Sequence, residues 1–366
     1  MSKGFKISFT AAIVLTAFIV AGRIWQPLAD FYAQHIYPHI SAVLSWISSP
    51  AHFSFQGVAI AVILLAAALI IAFAIIKKKG WKRTILRELN LLLWVFVWFY
   101  LGWCLNYSRS SIFQRLETAR SPYDETEFVA FLTDFTEVIN EAYVTEYNLS
   151  EEVIENDIKR FYSAVPQEYG LCSPKPWQHY KRMMPQSFHS AIGILGYMGP
   201  LFSEFHLNEE LPSSEIPFIW AHEYSHLLGV SNEAEANWWA WNACMASEIP
   251  AIRYSACLSM FSYVLSNALN LLSKEECAKI FSAVRPEIIE ESKAIRQYWL
   301  DKRNPKLDKL QRKLYDFFLK ANHIPSGIQN YSEVVQMMMD LKTVGLKQEE
   351  ERDADDCNDC AEQLLQ

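Results

Sequence analysis

Residues 57–76, GVAIAVILLAAALIIAFAII, run for twenty positions without a charge, enough for an α-helix to cross a hydrocarbon layer of about 30 Å. LNLLLWVFVWFYLGWCL (89–105) is long enough to do the same. An earlier run, ISFTAAIVLTAFIVAG (7–22), is shorter and follows Lys3 and Lys6. That basic start suits a signal peptide, but Ala21-Gly22 is a poor cleavage site and two further spans follow. The pattern therefore predicts three retained helices, with an aromatic-rich, interfacial loop at 23–54 carrying Trp25, Phe31, Tyr32, Tyr37 and Trp46.

Beyond Leu105 the apolar residues become periodic. Phe128, Phe131, Leu132, Phe135 and Ile139 share one face at helical spacing, which predicts an amphipathic helix over 124–143. A second helix is expected at 150–164, before CSPKPW (172–177) breaks the pattern. AIGILGYMGPLFSEFHLN (191–208) mixes glycines with near alternation and reads as one or two strands. Pro217 then opens a helix, with Ser213 or Ser214 as its cap. Further helices are expected at 233–247, 250–272, 275–303, 306–321 and 332–341. The run at 250–272 is apolar, but Arg253 and several Ser and Asn residues make it a buried domain helix and not a fourth span. The fold class is mainly α, with N-terminal transmembrane helices and a small sheet. The domains are 1–105 in the membrane, 106–341 outside it, and 342–366 as a disordered acidic tail.

Charge sets the expected orientation. Lys3 and Lys6 precede the first helix, and six Lys or Arg residues occupy 77–88. Basic residues favour the cytoplasmic side, which puts everything after Leu105 outside, although Arg109, Arg115 and Arg120 argue the other way. The formal net charge of −8 over 366 residues disfavours nucleic acid as a partner. Seven cysteines, an odd number, are scattered. Cys104, Cys244 and Cys257 sit in apolar patterns, and Cys357 and Cys360 form a lone CxxC that reads as solvated tail.

The concentrated chemistry lies in HEYSHLLGVSNEAEAN, His222 to Asn237. His222 and His226 are four apart, so a helix presents both to one ion, and Glu223 beside them can act on a metal-bound water as general base. Gly229 can take the positive φ that ends a helix. Asn232 can cap the next one, with Glu235 at capping-box spacing. That assigns Glu235 a structural role and leaves Glu233 as the preferred third ligand, Glu235 being the alternative. Asn237, four residues after Glu233, can bond the outer nitrogen of a ligand histidine. The plain competing reading is a surface helix whose polar residues are satisfied.

The pair HEYSH and EAEAN resembles the gluzincin group of metallopeptidases, in which HExxH is followed by a second helix bearing ExxAD. The resemblance implies a zincin-like α+β domain, His222, His226 and Glu233 as Zn2+ ligands, Glu223 as catalytic base and Asn237 in place of the supporting Asp. The chain is also similar, over most of its length, to uncharacterised bacterial membrane proteins. They combine N-terminal spans, an LNYSR-like stretch (Leu105 to Arg109 here) and HExxH with a nearby ExEAN. Two departures stand out, the first being Asn237 where the pattern has Asp. Six residues separate His226 from Glu233, closer to the metzincin pattern HExxHxxGxxH, whose third histidine position holds Asn232. An intramembrane protease is excluded, because SSEIP and GVSNEAEAN leave too short an apolar run around the motif.

The expected function is thus a membrane-anchored zinc peptidase on the outer side of a bacterial cytoplasmic membrane, its partners a peptide or protein substrate and the lipid bilayer. The alternative is a non-catalytic zinc-binding sensor or scaffold. Glu204 and His206 could line a cleft on a strand that accepts an extended peptide. Tyr254 or His189 could stabilise an oxyanion, and Trp238, Trp239 and Trp241 are expected in the core or near the membrane.

Overall fold

The structure, a computed structural model, describes residues 3–51, 53–78 and 80–341. The tail at 342–366, with its CxxC, lies outside the described residues. The chain is mainly helical with one small sheet.

Among the described residues, three helices are long and apolar enough to cross a membrane: α1 (Lys3–Ile24), α4 (Phe55–Ile76) and α5 (Trp81–Gly102). Each has 22 residues, about 33 Å at 1.5 Å per residue. α1 and α5 pack together through polar groups, with Trp94 Nε1 donating to Ser8 Oγ at 2.9 Å. α4 leaves almost its whole surface exposed, Leu64, Leu65 and Leu69 included, as suits an apolar solvent. The third helix starts eight residues before the expected 89 and stops three before 105. Lys82, Arg83 and Arg87 ride its first turns, where long basic side chains can reach a polar boundary. Trp103, at φ −169°, ends it, and a tight 3-10 turn follows over Cys104–Ser108.

The segment expected as an interfacial loop is instead folded. α2 (Gln26–Phe31) and α3 (Tyr37–Ser48) both open on a proline and are joined by a wider turn at Tyr32–Ile36. Tyr32 and Tyr37 are fully buried while Trp25, Phe31 and Trp46 stay exposed, because a helical path divides the aromatics between two faces.

α6 (Ile112–Arg115), α7 (Glu125–Ala142) and α8 (Glu151–Ala164) lead into the domain core. The strand region forms a hairpin, β2 (Gly196–Gly199) and β3 (Glu204–Leu207), with β1 (Lys181–Arg182) added parallel on the other side of β3. α9 (Gln186–Ala191) lies between β1 and β2 in the chain. α10 (Ile216–Leu227), α11 (Glu233–Met245) and α12 (Pro250–Leu271) form the centre, where Trp220, Tyr224, Trp239 and Tyr254 are buried with Cys244 and Cys257. α12 is thus a domain helix, as its polar interruptions required. The expected helix at 275–303 is two, α13 (Lys274–Phe281) and α14 (Pro286–Lys302), since Pro286 can open a helix but not continue one. α15 (Pro305–Ala321) is followed by a 3-10 stretch at Gly327–Glu333 and α16 (Val334–Asp340).

The domain is seated on the ends of the apolar helices. Glu204 accepts from the backbone N–H of Phe55 at 3.1 Å and Gln56 at 3.0 Å and from Ser54 Oγ at 3.3 Å. A carboxylate there meets the free N–H groups and positive end of α4. His206 Nε2 contacts Ser54 Oγ at 2.8 Å and its ring stacks on Tyr197 at 4.2 Å. Glu204 and His206 therefore fasten sheet to helix. At α1 and α5, Arg23 Nη2 donates to Ala321 O at 2.6 Å and Tyr100 Oη to Asn322 Oδ1 at 2.9 Å.

Candidate metal centre

α10 carries HEYSH. Its N-cap is Glu215, with no side-chain cap. The expected caps, Ser213 and Ser214, do not serve, and one free N–H of the first turn, Phe218 N, is met from α12 by Ser255 Oγ at 3.2 Å. This tertiary acceptor makes a local cap unnecessary. Gly229, at φ +102°, turns the chain, and a β-carbon there would stand 3.3 Å from the Tyr37 ring. Asn232 then caps α11, its Oδ1 accepting from Glu235 N at 2.9 Å. A second cap comes from afar: Asn330 Oδ1 accepts from Glu233 N at 2.9 Å and Ala234 N at 3.2 Å.

The two expected glutamates part company. The Glu235 carboxylate does not return to the Asn232 N–H as a capping box would. It pairs with Arg115 and accepts from Trp239 Nε1 at 3.3 Å. Glu233 turns to the histidines, its Oε2 3.3 Å from His222 Nε2 and 3.3 Å from His226 Nε2. The two Nε2 atoms are 3.1 Å apart. Ligand atoms about 2.0–2.1 Å from a tetrahedral zinc stand about 3.3–3.4 Å from one another, so the triangle fits such an ion. All three residues are buried.

The surrounding bonds orient these atoms. His226 Nδ1 lies 2.8 Å from Val230 O, which places a proton on Nδ1 and turns the Nε2 lone pair inward. Asn237 hydrogen-bonds His222 and also Tyr263. Trp103 Nε1 donates to His226 O at 2.7 Å, and Tyr37 Oη to Leu227 O at 2.7 Å. The LNYSR stretch wraps the turn: Ser231 Oγ donates to Asn106 O at 3.0 Å, and Arg109 Nη1 to Gly229 O at 3.1 Å.

Burial disfavours charge throughout this cluster, yet it holds one. Burial works against a charged His226, but Glu233 and Glu223 outweigh it and raise its pKa to about 9. Burial works against an ionised Glu233 too, and here His226 and His222 prevail and hold it below the usual carboxylate range. His222 is lowered, burial being the main cause. A buried carboxylate between two imidazoles needs a positive partner, which a proton supplies here and a divalent ion can supply instead. Glu223 stands apart: burial, with Glu233 adding, pushes its carboxyl up to about 8, and its Oε2 has no hydrogen-bond partner.

Several residues of this centre carry no local signal in the sequence. The Tyr315 hydroxyl donates to Glu233 Oε1 from α15 and hydrogen-bonds Tyr107. Gly196 leaves room for Glu223, since a β-carbon there would stand 2.6 Å from Glu223 Cδ and closer to Cγ. Gly196→Ala is expected to push the Glu223 side chain aside at a cost of about 1–3 kcal/mol. A thermal melt of the variant should show a lowered but cooperative transition; an unchanged midpoint means the strand yields instead. Tyr254 and His189 do not join the cluster. Tyr254 Oη donates to Glu291 Oε2 at 2.8 Å, and His189 Nδ1 contacts Pro185 O at 2.9 Å. Trp238 and Trp239 are buried in the core, with Trp241 packed against it.

Residues 32–339 match the family described as "Protein of unknown function (DUF3810)", and the chain belongs to that family. The match takes in α4, α5 and the whole His222–His226–Glu233 cluster. No curated protein and no solved structure matches the chain.

Proposed function

We propose that this family member is a membrane-anchored, zinc-dependent peptidase with a zincin-like domain. One observation carries the reading: a buried triangle of His222 Nε2, His226 Nε2 and Glu233 Oε2 at 3.1 to 3.3 Å, beside a Glu223 oxygen without a partner. Zinc held there supplies a Lewis acid that polarises a scissile carbonyl and acidifies water. In its ionised form, Glu223 Oε2 takes the proton of the attacking water and passes it to the departing amine nitrogen. Asn237 holds the His222 ring, and Tyr315 holds Glu233, so neither ligand turns away. β2 is an edge strand, and alternate backbone groups along it face away from β3, where an extended peptide can add as a further strand. Gly196 at the start of β2 sets such a peptide next to Glu223.

In this reading α1, α4 and α5 cross a bacterial cytoplasmic membrane with the domain outside. The ends of α1 and α5 and the start of α4 share the domain side, and Lys77, Lys78, Lys82 and Arg83 lie at the other ends. A reporter fused after Gln366 is expected to be active as an external fusion, and cytoplasmic activity reverses the topology.

The second reading, a zinc-binding sensor or scaffold without turnover, draws on burial: His222, Glu223, His226 and Glu233 are each at most 6% exposed. A peptide library offered to the full chain in vesicles separates the two. Cleavage that a chelator stops and zinc restores supports the peptidase. Stoichiometric zinc with no cleavage supports the sensor.

A further inference from the structure

α15 is out of keeping with the rest of this acidic chain. It carries Lys306, Lys309, Arg312, Lys313 and Lys320 against Asp308 and Asp316, in a protein of net charge −8. Leu307, Leu310, Leu314 and Phe317 form a continuous apolar stripe on it, and they are exposed, Leu314 by 62% and Phe317 by 73%. At 100° per residue, Lys306, Lys309 and Lys313 fall together along one flank of that stripe, with Lys320 beside them paired to Asp316. On the other flank the stripe continues into an apolar groove shared with Phe188 and Ile192. Leu319, on the opposite side, is the residue that is fully buried.

Both ends of α15 are tied to the level at which the apolar helices end. At its C-terminus, Ala321 and Asn322 bond Arg23 of α1 and Tyr100 of α5, and Phe318 packs on Phe99 at 6.2 Å. At its N-terminus, Asn304 N donates to Ala191 O at 2.8 Å. Ala191 ends α9, whose His189 stacks on Tyr197 of the hairpin that clamps α4. A helix with leucines and phenylalanine on one side, lysines flanking them and this position matches a segment lying in a membrane surface, with lysine stems along the acyl boundary and ammonium groups at phosphate depth.

We propose that α15 lies in the plane of the bilayer surface and binds it through anionic phospholipids, with Leu307, Leu310, Leu314 and Phe317 entering the acyl boundary. The inference rests on the reading that α1, α4 and α5 span the bilayer. Because Tyr315 on the same helix holds Glu233, the surface contact lies one hydrogen bond from the candidate metal centre.

Photocrosslinking tests it. The photoreactive residue p-benzoyl-phenylalanine replaces Phe317 in the full chain, and Leu65 of α4 in a second sample. Both are reconstituted into vesicles of phosphatidylcholine with or without phosphatidylglycerol. The expected result is a lipid adduct at both positions. At Phe317 the adduct should increase at least about fivefold with the anionic lipid, and Lys306→Glu with Lys313→Glu should abolish that increase. A covalent dimer at Phe317, no lipid adduct there while Leu65 gives one, or equal adducts in both vesicles overturns the proposal. Failure at Leu65 overturns the spanning reading itself, and this inference falls with it.

Discussion

The unmodified protein is expected to purify with about one zinc ion per chain and His222→Ala to abolish it, read by elemental analysis. The argument is geometric. His222 Nε2 is one corner of a triangle whose other corners lie 3.1 and 3.3 Å away, and a tetrahedral ion that loses one of three protein ligands keeps too few to compete with water. The affinity loss should exceed the roughly 10–100-fold typical of losing a residue that only orients a ligand. Asn237→Ala belongs to that milder class, because Asn237 bonds the His222 ring without joining the triangle. The ranking of the two variants therefore tests the assignment beyond mere loss of binding. Circular dichroism should show the helices retained in both. An unmodified chain that purifies without zinc and takes none up on dialysis removes the centre altogether.

Glu223→Gln should separate chemistry from binding. Peptide hydrolysis is expected to fall by about 10²–10⁴, the usual contribution of a general base, with zinc content unchanged. Glu223 contributes no atom to the ligand triangle, so its loss leaves the ion held. The variant should also fold at least as stably. Burial pushes the Glu223 carboxyl up to about 8, so the folded chain disfavours its ionised form relative to the unfolded chain, and a neutral amide of the same shape lacks that cost. A lowered unfolding midpoint with lost zinc would mean that Glu223 supports the centre structurally, and hydrolysis at the original rate would exclude it as the base.

Parts of this molecule were legible because their causes are local. The apolar runs specify helices through length and hydropathy alone, but not where they end: α5 runs from Trp81 to Gly102, where Pro200 O approaches closely. HEYSH puts two imidazoles on one helix face by spacing, and Gly229 and Asn232 mark the turn by their backbone and capping preferences. The choice between Glu233 and Glu235 was not local. Both lie in the first turn of α11, and what directs them is Arg115, which draws Glu235 away, and Tyr315, which holds Glu233.

The same holds for the strand polars. Glu204 and His206 look like any alternating residues until α4 is brought up, and then its free N–H groups and Ser54 claim them. By itself, then, the sequence determined most of the long helices, which segments are apolar enough for a bilayer, and which two histidines share a face, because each follows from neighbours within a few turns. The tertiary structure alone decided that Glu235 leaves the histidines for Arg115, that the segment at 23–54 folds beneath them, and that α15 leaves its apolar stripe uncovered. Those outcomes depend on partners 82 to 298 residues apart, and such contacts form only when the whole chain has paid the entropy of folding.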